Sequence, residues 1–273
     1  MQEIKYAPNY NGKATTQLIE KNGVPYFVFT PFLELPFIQH GFSTRFGGVS
    51  QGEFSSMNLS YERGDNPEAV DENYHRICKA MGTSVEKLVF SQQVHDTKVV
   101  RVKEPGRYLK GIDGMVTNVP DLVLTTSYAD CVPLFFVDPQ KKAIGLSHSG
   151  WRGTCGEIGR ITVEKMQEEF NSNPEDIIAV IGPSICDTCY EVSKEVAEQF
   201  PQETYWQKKD SEKGKYQLNL WEANRIILER AGLLKRNIFI SGVCTCCNSQ
   251  LLFSHRATNG KRGNLNAFLN IKI

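Results

Sequence analysis

VPLFFVDPQKKAIGLSHSGWRGT, residues 132–154, is the stretch that decides how this chain folds. Two apolar runs flank a Pro-Gln-Lys-Lys turn, which reads as the two arms of a β-hairpin. Pairing Asp138 with Ala143 puts Pro133 opposite His148 and Cys131 opposite Gly150. Cys131 and His148 then become diagonal neighbours on one face, with Cα atoms roughly 7 to 8 Å apart and side chains closer. A slip of one residue would send them to opposite faces, so the reading requires an unbulged register. At that separation one metal ion can bridge them. His95, which closes the strand SQQVHD beside Asp96, is the third candidate ligand. Two imidazoles and one thiolate leave Zn²⁺ an open position, the pattern of a catalytic site. The same atoms also suit a metal-free Cys/His hydrolase, with Asp130 or Ser149 nearby.

The four residues after Ser149 and Gly150 add a second feature. Trp151-Arg152-Gly153-Thr154 supplies a guanidinium and a helix N-terminus, both of which favour an anion such as phosphate. FSTRFGGVS offers a similar cradle, with Arg45 ahead of two glycines. Thr154 and Glu157 read as a capping box for a helix from residue 155 to about Phe170.

Towards the N-terminus, QLIEKNGVPYFVFTPF and LPFIQHGFSTR read as strands around an Asn-Gly turn. Val70, Tyr74, Ile77 and Met81 recur at helical spacing over residues 67 to 81, with Pro67 in the first turn and Gly82 beyond the last. Strands are expected around LVFSQQVH, TKVVRV and DGMVTN, and in the run that leads into the hairpin. Towards the C-terminus, IIAVIGPS reads as a buried strand and CYEVSKEVAEQF as a helix. Asn219 and Glu222 form a capping box before WEANRIILERAG, and NIFISGVCT and LLFSHRA read as late strands. Elements intersperse without regular alternation, which predicts an α/β (α+β) fold with mixed sheets rather than a doubly wound nucleotide fold. Neither GxGxxG nor a Walker motif is present. With no linker or repeat in sight, residues 1–273 are expected to form a single domain.

Charge is balanced, with 31 basic and 31 acidic residues, and this argues against nucleic acid or an anionic membrane as partner. No secretory or transit pattern opens the chain and no run is long enough to span a bilayer, so a cytoplasmic protein is expected. Eight cysteines in a reducing compartment are free thiols, metal ligands or nucleophiles. Cys186 and Cys189 form a CxxC, whereas Cys244, Cys246 and Cys247 read as a CxCC without the usual two-residue gap. Four thiolates would suffice for structural zinc. A buried-thiol role is the plainer expectation, and redox chemistry lacks a thioredoxin context. His40 and His255 are expected to make structural hydrogen bonds, and His75 to lie on a helix surface.

Taken in order, HGFSTRFGG, MNLS with GD after it, QVH, DGMVT, ADCVPLFFVDP, GLSHSGWRGT, IGPSI with CYEV, and CTCCN with FSHR resemble the YfiH/YlmD family. That family was formerly labelled multicopper polyphenol oxidase or laccase, and the blocks run from about residue 40 to 260. The resemblance implies a four-layer α/β/β/α domain related to the CNF-like cysteine hydrolases. It implies a zinc-dependent purine nucleoside phosphorylase that takes adenosine, inosine or S-methyl-5'-thioadenosine with phosphate, and has adenosine deaminase activity beside it. The implied metal ligands are His95, Cys131 and His148, the set reached from the hairpin. Arg45 and Asn58 are implied in the substrate site. One departure is KRGNLNAF, with Asn264 where members commonly carry arginine, leaving Arg262 as the nearest substitute.

In the expected chemistry, phosphate held by Arg45 and Arg152 attacks the ribose anomeric carbon as the purine leaves. In deamination an activated water attacks C6 of the purine, with Asp113 or Asp130 moving the proton. Cu²⁺ also suits thiolate and imidazole. Five histidines are nevertheless too few for a multicopper oxidase. A non-enzymatic binding protein would keep its function when His95, Cys131 and His148 are replaced by alanine. The expected partners are a purine nucleoside and phosphate, with the chain a monomer or weak homo-oligomer.

Overall fold

The central hairpin has the register read from the sequence, with Ala143 opposite Asp138 and His148 opposite Pro133. The computed structural model describes residues 3–106, 108–200, 206–210 and 214–273. In chain order the strands begin with β1 (Thr16–Lys21), β2 (Val24–Phe29), β3 (Ile38–Ser43), β4 (Leu88–Gln92), β5 (Val99–Arg101), β6 (Tyr108–Lys110), β7 (Gly114–Thr117) and β8 (Val123–Tyr128). They continue with β9 (Val132–Asp138), β10 (Ala143–Ser149), β11 (Ile178–Ile181), β12 (Glu191–Ser193), β13 (Trp206–Asp210), β14 (Lys215–Leu218), β15 (Ile238–Ile240) and β16 (Leu265–Ile271). The helices are α1 (Gly12–Thr15), α2 (Thr30–Leu33), α3 (Pro67–Met81), α4 (Trp151–Cys155), α5 (Ile158–Phe170), α6 (Lys194–Ala197), α7 (Leu220–Arg230) and α8 (His255–Thr258).

Among the described residues, one sheet runs β1-β2-β3-β16-β8-β4-β6 and a second runs β15-β11-β9-β10-β7-β5, while β12, β14 and β13 make a small third sheet. The hairpin explains why the two large sheets stack. Every residue of β9 and β10 is buried, because alternate side chains point to opposite faces. Phe135, Val137, Ile144 and Leu146 face the first sheet and meet Phe42, Leu124 and Leu269. Leu134, Phe136 and Ala143 face the other way, into a core with Val163 and Met166 of α5 and Trp221 and Leu228 of α7. On the far side of the first sheet, Tyr74, Ile77 and Met81 of α3 pack on Val24, Val28 and Phe268. The layers are therefore α/β/β/α, each helix pair or sheet covering the apolar face of its neighbour.

Local signals explain the helix ends. Asn66 caps α3 by accepting from the Glu68 amide, Pro67 occupies the first turn and Gly82 closes it in the left-handed region. Asn219 caps α7 through the Glu222 amide, as its spacing predicts.

Three expectations are corrected. The helix after His148 is broken, because Glu157 adopts φ +57° and α5 starts only at Ile158. Thr154 is not its cap, for its hydroxyl donates instead to the Gly150 carbonyl inside the one-turn α4. CYEVSKEVAEQF is strand and one-turn helix, since Val192 pairs with Tyr216 before the chain turns at Ser193. LLFSHRA forms no strand: the Ser254 hydroxyl accepts from the Ala257 amide and starts α8. The motif reading also passed over β16, which lies in the middle of the first sheet between β3 and β8. No helix among the described residues is long and apolar enough to cross a membrane.

Candidate functional site

His148 is the penultimate residue of β10, Cys131 immediately precedes β9, and His95 lies in the loop after β4. One ligand atom from each falls within 4.8 Å of the others. Cys131 Sγ is 4.0 Å from His95 Nε2, and the two imidazole rings meet edge to face at 4.8 Å. The hairpin register brings Cys131 beside His148. A different device places His95.

That device is Asp113. Its carboxylate accepts from the amides of Val94, His95 and Asp96, which wraps the loop around it and holds His95 at φ +62°. Non-glycine residues rarely adopt that conformation, and strain of this kind concentrates at functional sites. Asp113 Oδ1 also bonds His148 Nδ1 at 2.9 Å. This fixes the imidazole tautomer and leaves Nε2 as the ligating atom. One buried carboxylate thus orients two of the three ligands. Burial pushes Asp113 up, but the bond and charge of His148 and the amides of Val94 and Asp96 outweigh it and hold it below its usual value.

The two buried partners titrate as a pair. Burial would raise the Cys131 thiol, but the His148 charge and hydrogen bonds from both histidines bring it down to about 6. Burial would lower His148, yet the Cys131 thiolate and Asp113 carry it up to about 9. A thiolate is the form that binds metal.

The cluster also has room for an ion. A Cβ on Gly150 would sit 3.1 Å from His95 Cδ2 and 3.2 Å from Cys131 Sγ, so glycine keeps this space clear. Nitrogen and sulfur donors in threefold arrangement suit zinc with one position left over.

The cluster opens into a cleft of about 600 Å³, within the range of small-molecule sites. Arg63, Arg152, Arg256 and Arg262 line it, as do Phe90, Tyr108, Trp151 and Tyr190. Arg152 stacks on Trp151 at 4.3 Å. Arg256 is fixed by bonds to the Cys189 and Glu191 carbonyls. Burial, reinforced by the charge of Arg63, draws Arg262 down to about 10. Its Nε is buried with no hydrogen-bond partner among the described residues, so this guanidinium retains donor capacity.

Other residues singled out from the sequence fall elsewhere. Neither the Arg45 nor the Asn58 side chain lines the cleft. Arg45 donates to the Ser55 and Ser249 carbonyls and lies 4.8 Å over Phe253. Fully buried Asn58 binds Asp65 and the Asn264 amide. Asp113 is fully buried and has its oxygens engaged, which makes it a support for ligands rather than a contact for substrate. Asp130 lines the cleft but accepts from Thr245 and the Arg256 amide. The five-residue α4 is too short to furnish the anion-binding helix end expected after His148. Asn264 is at the cleft, where Arg262 bonds its side-chain oxygen. His255 lines the cleft, His75 bonds Asp71 on the exposed face of α3, and His40 accepts from the Phe29 amide. The sequence reading missed Arg63 and Arg256 altogether. Arg63 ends a single 3-10 turn and Arg256 lies in the one-turn α8, both too short to show periodicity, although the Arg of FSHR was visible as part of a motif.

Residues 39–272 match the family model described as multi-copper polyphenol oxidoreductase laccase. The chain belongs to this laccase-like family. It shares 39% identity over 244 residues with the purine nucleoside phosphorylase YlmD of Bacillus subtilis, covering 85% of this chain and 88% of that relative. The purine nucleoside phosphorylase of Deinococcus radiodurans is 37% identical over 243 residues, 88% of this chain and 93% of its own. Among solved structures, YlmD from Geobacillus stearothermophilus superposes with a TM-score of 0.88 at 32% identity, over 95% of this chain and 99% of that one. The hypothetical protein YfiH of Bacillus licheniformis gives 0.87 at 30% identity, over 93% and 99%. The family resemblance read from the motifs is borne out, and so is its mixed α/β architecture.

Proposed function

We propose that this chain is a zinc-dependent purine nucleoside phosphorylase. The observation that carries the reading is the joint opening of the His95–Cys131–His148 cluster and four arginines into one cleft with aromatic walls. The names of its relatives support the same activity. Arginine forks recognise phosphate oxygens bidentately, and aromatic faces stack on a purine.

In phosphorolysis, Arg152, Arg256 and Arg262 hold phosphate so that one oxygen faces the ribose anomeric carbon. The new C–O bond forms as the C–N bond to the purine breaks. The electron pair of that bond leaves on the base, which takes up the proton that the phosphate gives up. Confining both reactants in this way supplies much of the rate through proximity. Zinc, held by His95 Nε2, Cys131 Sγ and His148 Nε2, would supply Lewis-acid polarisation at its open position. Asp113 keeps His148 aimed, and Arg45 and Asn58 brace the loops behind the cleft.

Thiolate and imidazole admit copper as well as zinc. Zinc is favoured because His40 and His75 lie away from the cleft, leaving too few histidines for a multicopper oxidase. Adenosine deamination in the same cleft would need a carboxylate to move a proton. Asp113 and Asp130 are already committed, and Glu62, the other carboxylate lining the cleft, accepts from the Tyr108 hydroxyl at 2.8 Å, which favours phosphorolysis over deamination. The test is incubation with adenosine, inosine or S-methyl-5'-thioadenosine, with and without phosphate, alongside metal analysis. Phosphate-dependent release of free base and pentose 1-phosphate is expected. Ammonia and inosine from adenosine without phosphate would instead make deamination the main activity, and the absence of both sets of products would overturn the proposal.

A further inference from the structure

The sequence reading grouped Cys244, Cys246 and Cys247 as a CxCC, which hides a second spacing. Cys244 and Cys247 are themselves separated by two residues, so they repeat the CxxC of Cys186 and Cys189. The fold sets the two motifs side by side. Strands β11 and β15 are parallel neighbours, with Ile181 opposite Ile240, so the loops that follow them leave the sheet at the same end. A further bridge between Ser184 and Cys244 carries the pairing into those loops.

We propose that Cys186, Cys189, Cys244 and Cys247 form a closed tetrathiolate zinc site, separate from the His95–Cys131–His148 cluster. All four Sγ atoms lie within 4.8 Å of one another. Cys189 and Cys247 are 3.4 Å apart, and Cys186 and Cys247 are 4.0 Å apart. Four sulfurs at zinc–sulfur distances of about 2.3 Å stand about 3.8 Å apart at the corners of a tetrahedron. The sulfurs are thus already close to a coordination shell, and none of the four is in a disulfide.

Hydrogen-bond donors point at two of the sulfurs. Cys244 Sγ accepts from the amides of Cys186 and Cys247 at 3.3 and 3.4 Å. Thr188 Oγ1 lies 3.1 Å from Cys186 Sγ. The Arg256 guanidinium is held on the Cys189 carbonyl. Four thiolates this close repel one another strongly unless a cation sits among them. Cys246 lies on the same turn but is outside the set of four. With all four positions filled by sulfur, the site has no place for substrate, so its role is structural.

Such a site would act on the cleft by holding its wall. Tyr190 follows Cys189 directly, and Arg256 is anchored on the Cys189 and Glu191 carbonyls. A zinc ion here would tie the loop after β11 to the loop after β15 and keep both side chains facing the cleft.

The experiment is zinc analysis of the full chain purified under reducing conditions, with thiol labelling before and after chelation. The His148→Ala variant should retain one equivalent of zinc, whatever the other site binds. Combining His148→Ala with Cys247→Ser should remove it, whereas combining it with Cys246→Ser should not. Cobalt introduced into His148→Ala should show the charge-transfer and d–d bands of tetrahedral sulfur coordination. In His148→Ala, where Cys131 no longer holds a metal, four thiols should become reactive only after chelation, a readout independent of whether the Cys247 variant folds. Loss of all zinc from His148→Ala, or equal labelling of these four thiols with and without chelator, overturns the proposal.

Discussion

His40 and His148 are buried to nearly the same degree, 5% and 3% exposed, yet they are opposite kinds of histidine. His40 stacks on Phe29 at 5.5 Å, meets Phe32 edge-on, and accepts one bond from the Phe29 amide. Burial drives it down to about 3, so it stays neutral and serves as an acceptor in the sheet. His148 has the same loss of water but faces a carboxylate and a thiolate, and its value rises to about 9. The partners, not the depth, decide whether a buried imidazole is packing material or a ligand.

The largest test removes the ligands themselves. His148→Ala or Cys131→Ala should abolish metal binding at that cluster and lower phosphorolysis by more than about 100-fold, beyond what loss of a supporting group costs. Measuring metal content and turnover together checks this, and retained activity would remove the distinction between the two histidines.

Next comes the partner that makes the difference. Asp113→Asn should weaken metal affinity about 10- to 100-fold, because His148 loses its fixed tautomer and the 94–96 loop loses an acceptor. A competition titration with a chromogenic chelator measures the effect, and a thermal melt separates it from unfolding. Unchanged affinity would mean that the carboxylate does not set His148 apart.

A smaller change probes space rather than charge. Gly150 has φ −68° and ψ 177°, which alanine can adopt. Gly150→Ala should therefore fold normally while losing about tenfold in metal affinity, since the new methyl crowds His95 and Cys131. The same titration decides it.

The last test concerns His40 alone and reads stability. Its folded value is depressed from 6.5 to about 3, so between those pH values the unfolded chain binds a proton that the folded chain refuses. Stability from this residue is complete above 6.5 and falls as pH drops, by about 1.4 kcal/mol per unit. His40→Gln should flatten that slope in denaturant melts between pH 6.5 and 4. Parallel slopes for the two proteins would show that His40 does protonate in the fold.

These features were unequally legible in the sequence. The hairpin was readable because its turn and two short apolar arms admit one sensible register, and that register delivers Cys131 and His148 together. His95 was readable as a strand-end imidazole. The role of Asp113 was not, because it depends on three amides from a loop folded back on it from elsewhere in the chain. Arg63 and Arg256 reach the cleft from single helical turns and Arg262 from an irregular loop, segments too short for periodicity or spacing to signal direction. LLFSHRA misled because a short apolar and aromatic run speaks for a strand only where backbone partners exist. Here Ser254 had already diverted the backbone into a helical turn.

The position of β16 bears on how the molecule is made. Its Leu269 pairs with His40 on one side and Leu124 on the other, joining the early hairpin to the rest of the sheet. A chain growing from its N-terminus therefore completes β1 to β3 long before the strand that joins them to β8 exists. Through most of synthesis the edge of β3 stays open, an invitation to pair with the wrong neighbour, and closure waits on contacts of very long sequence separation. Synthesis order thus sets a window of vulnerability that ends only when residues 265–271 have emerged.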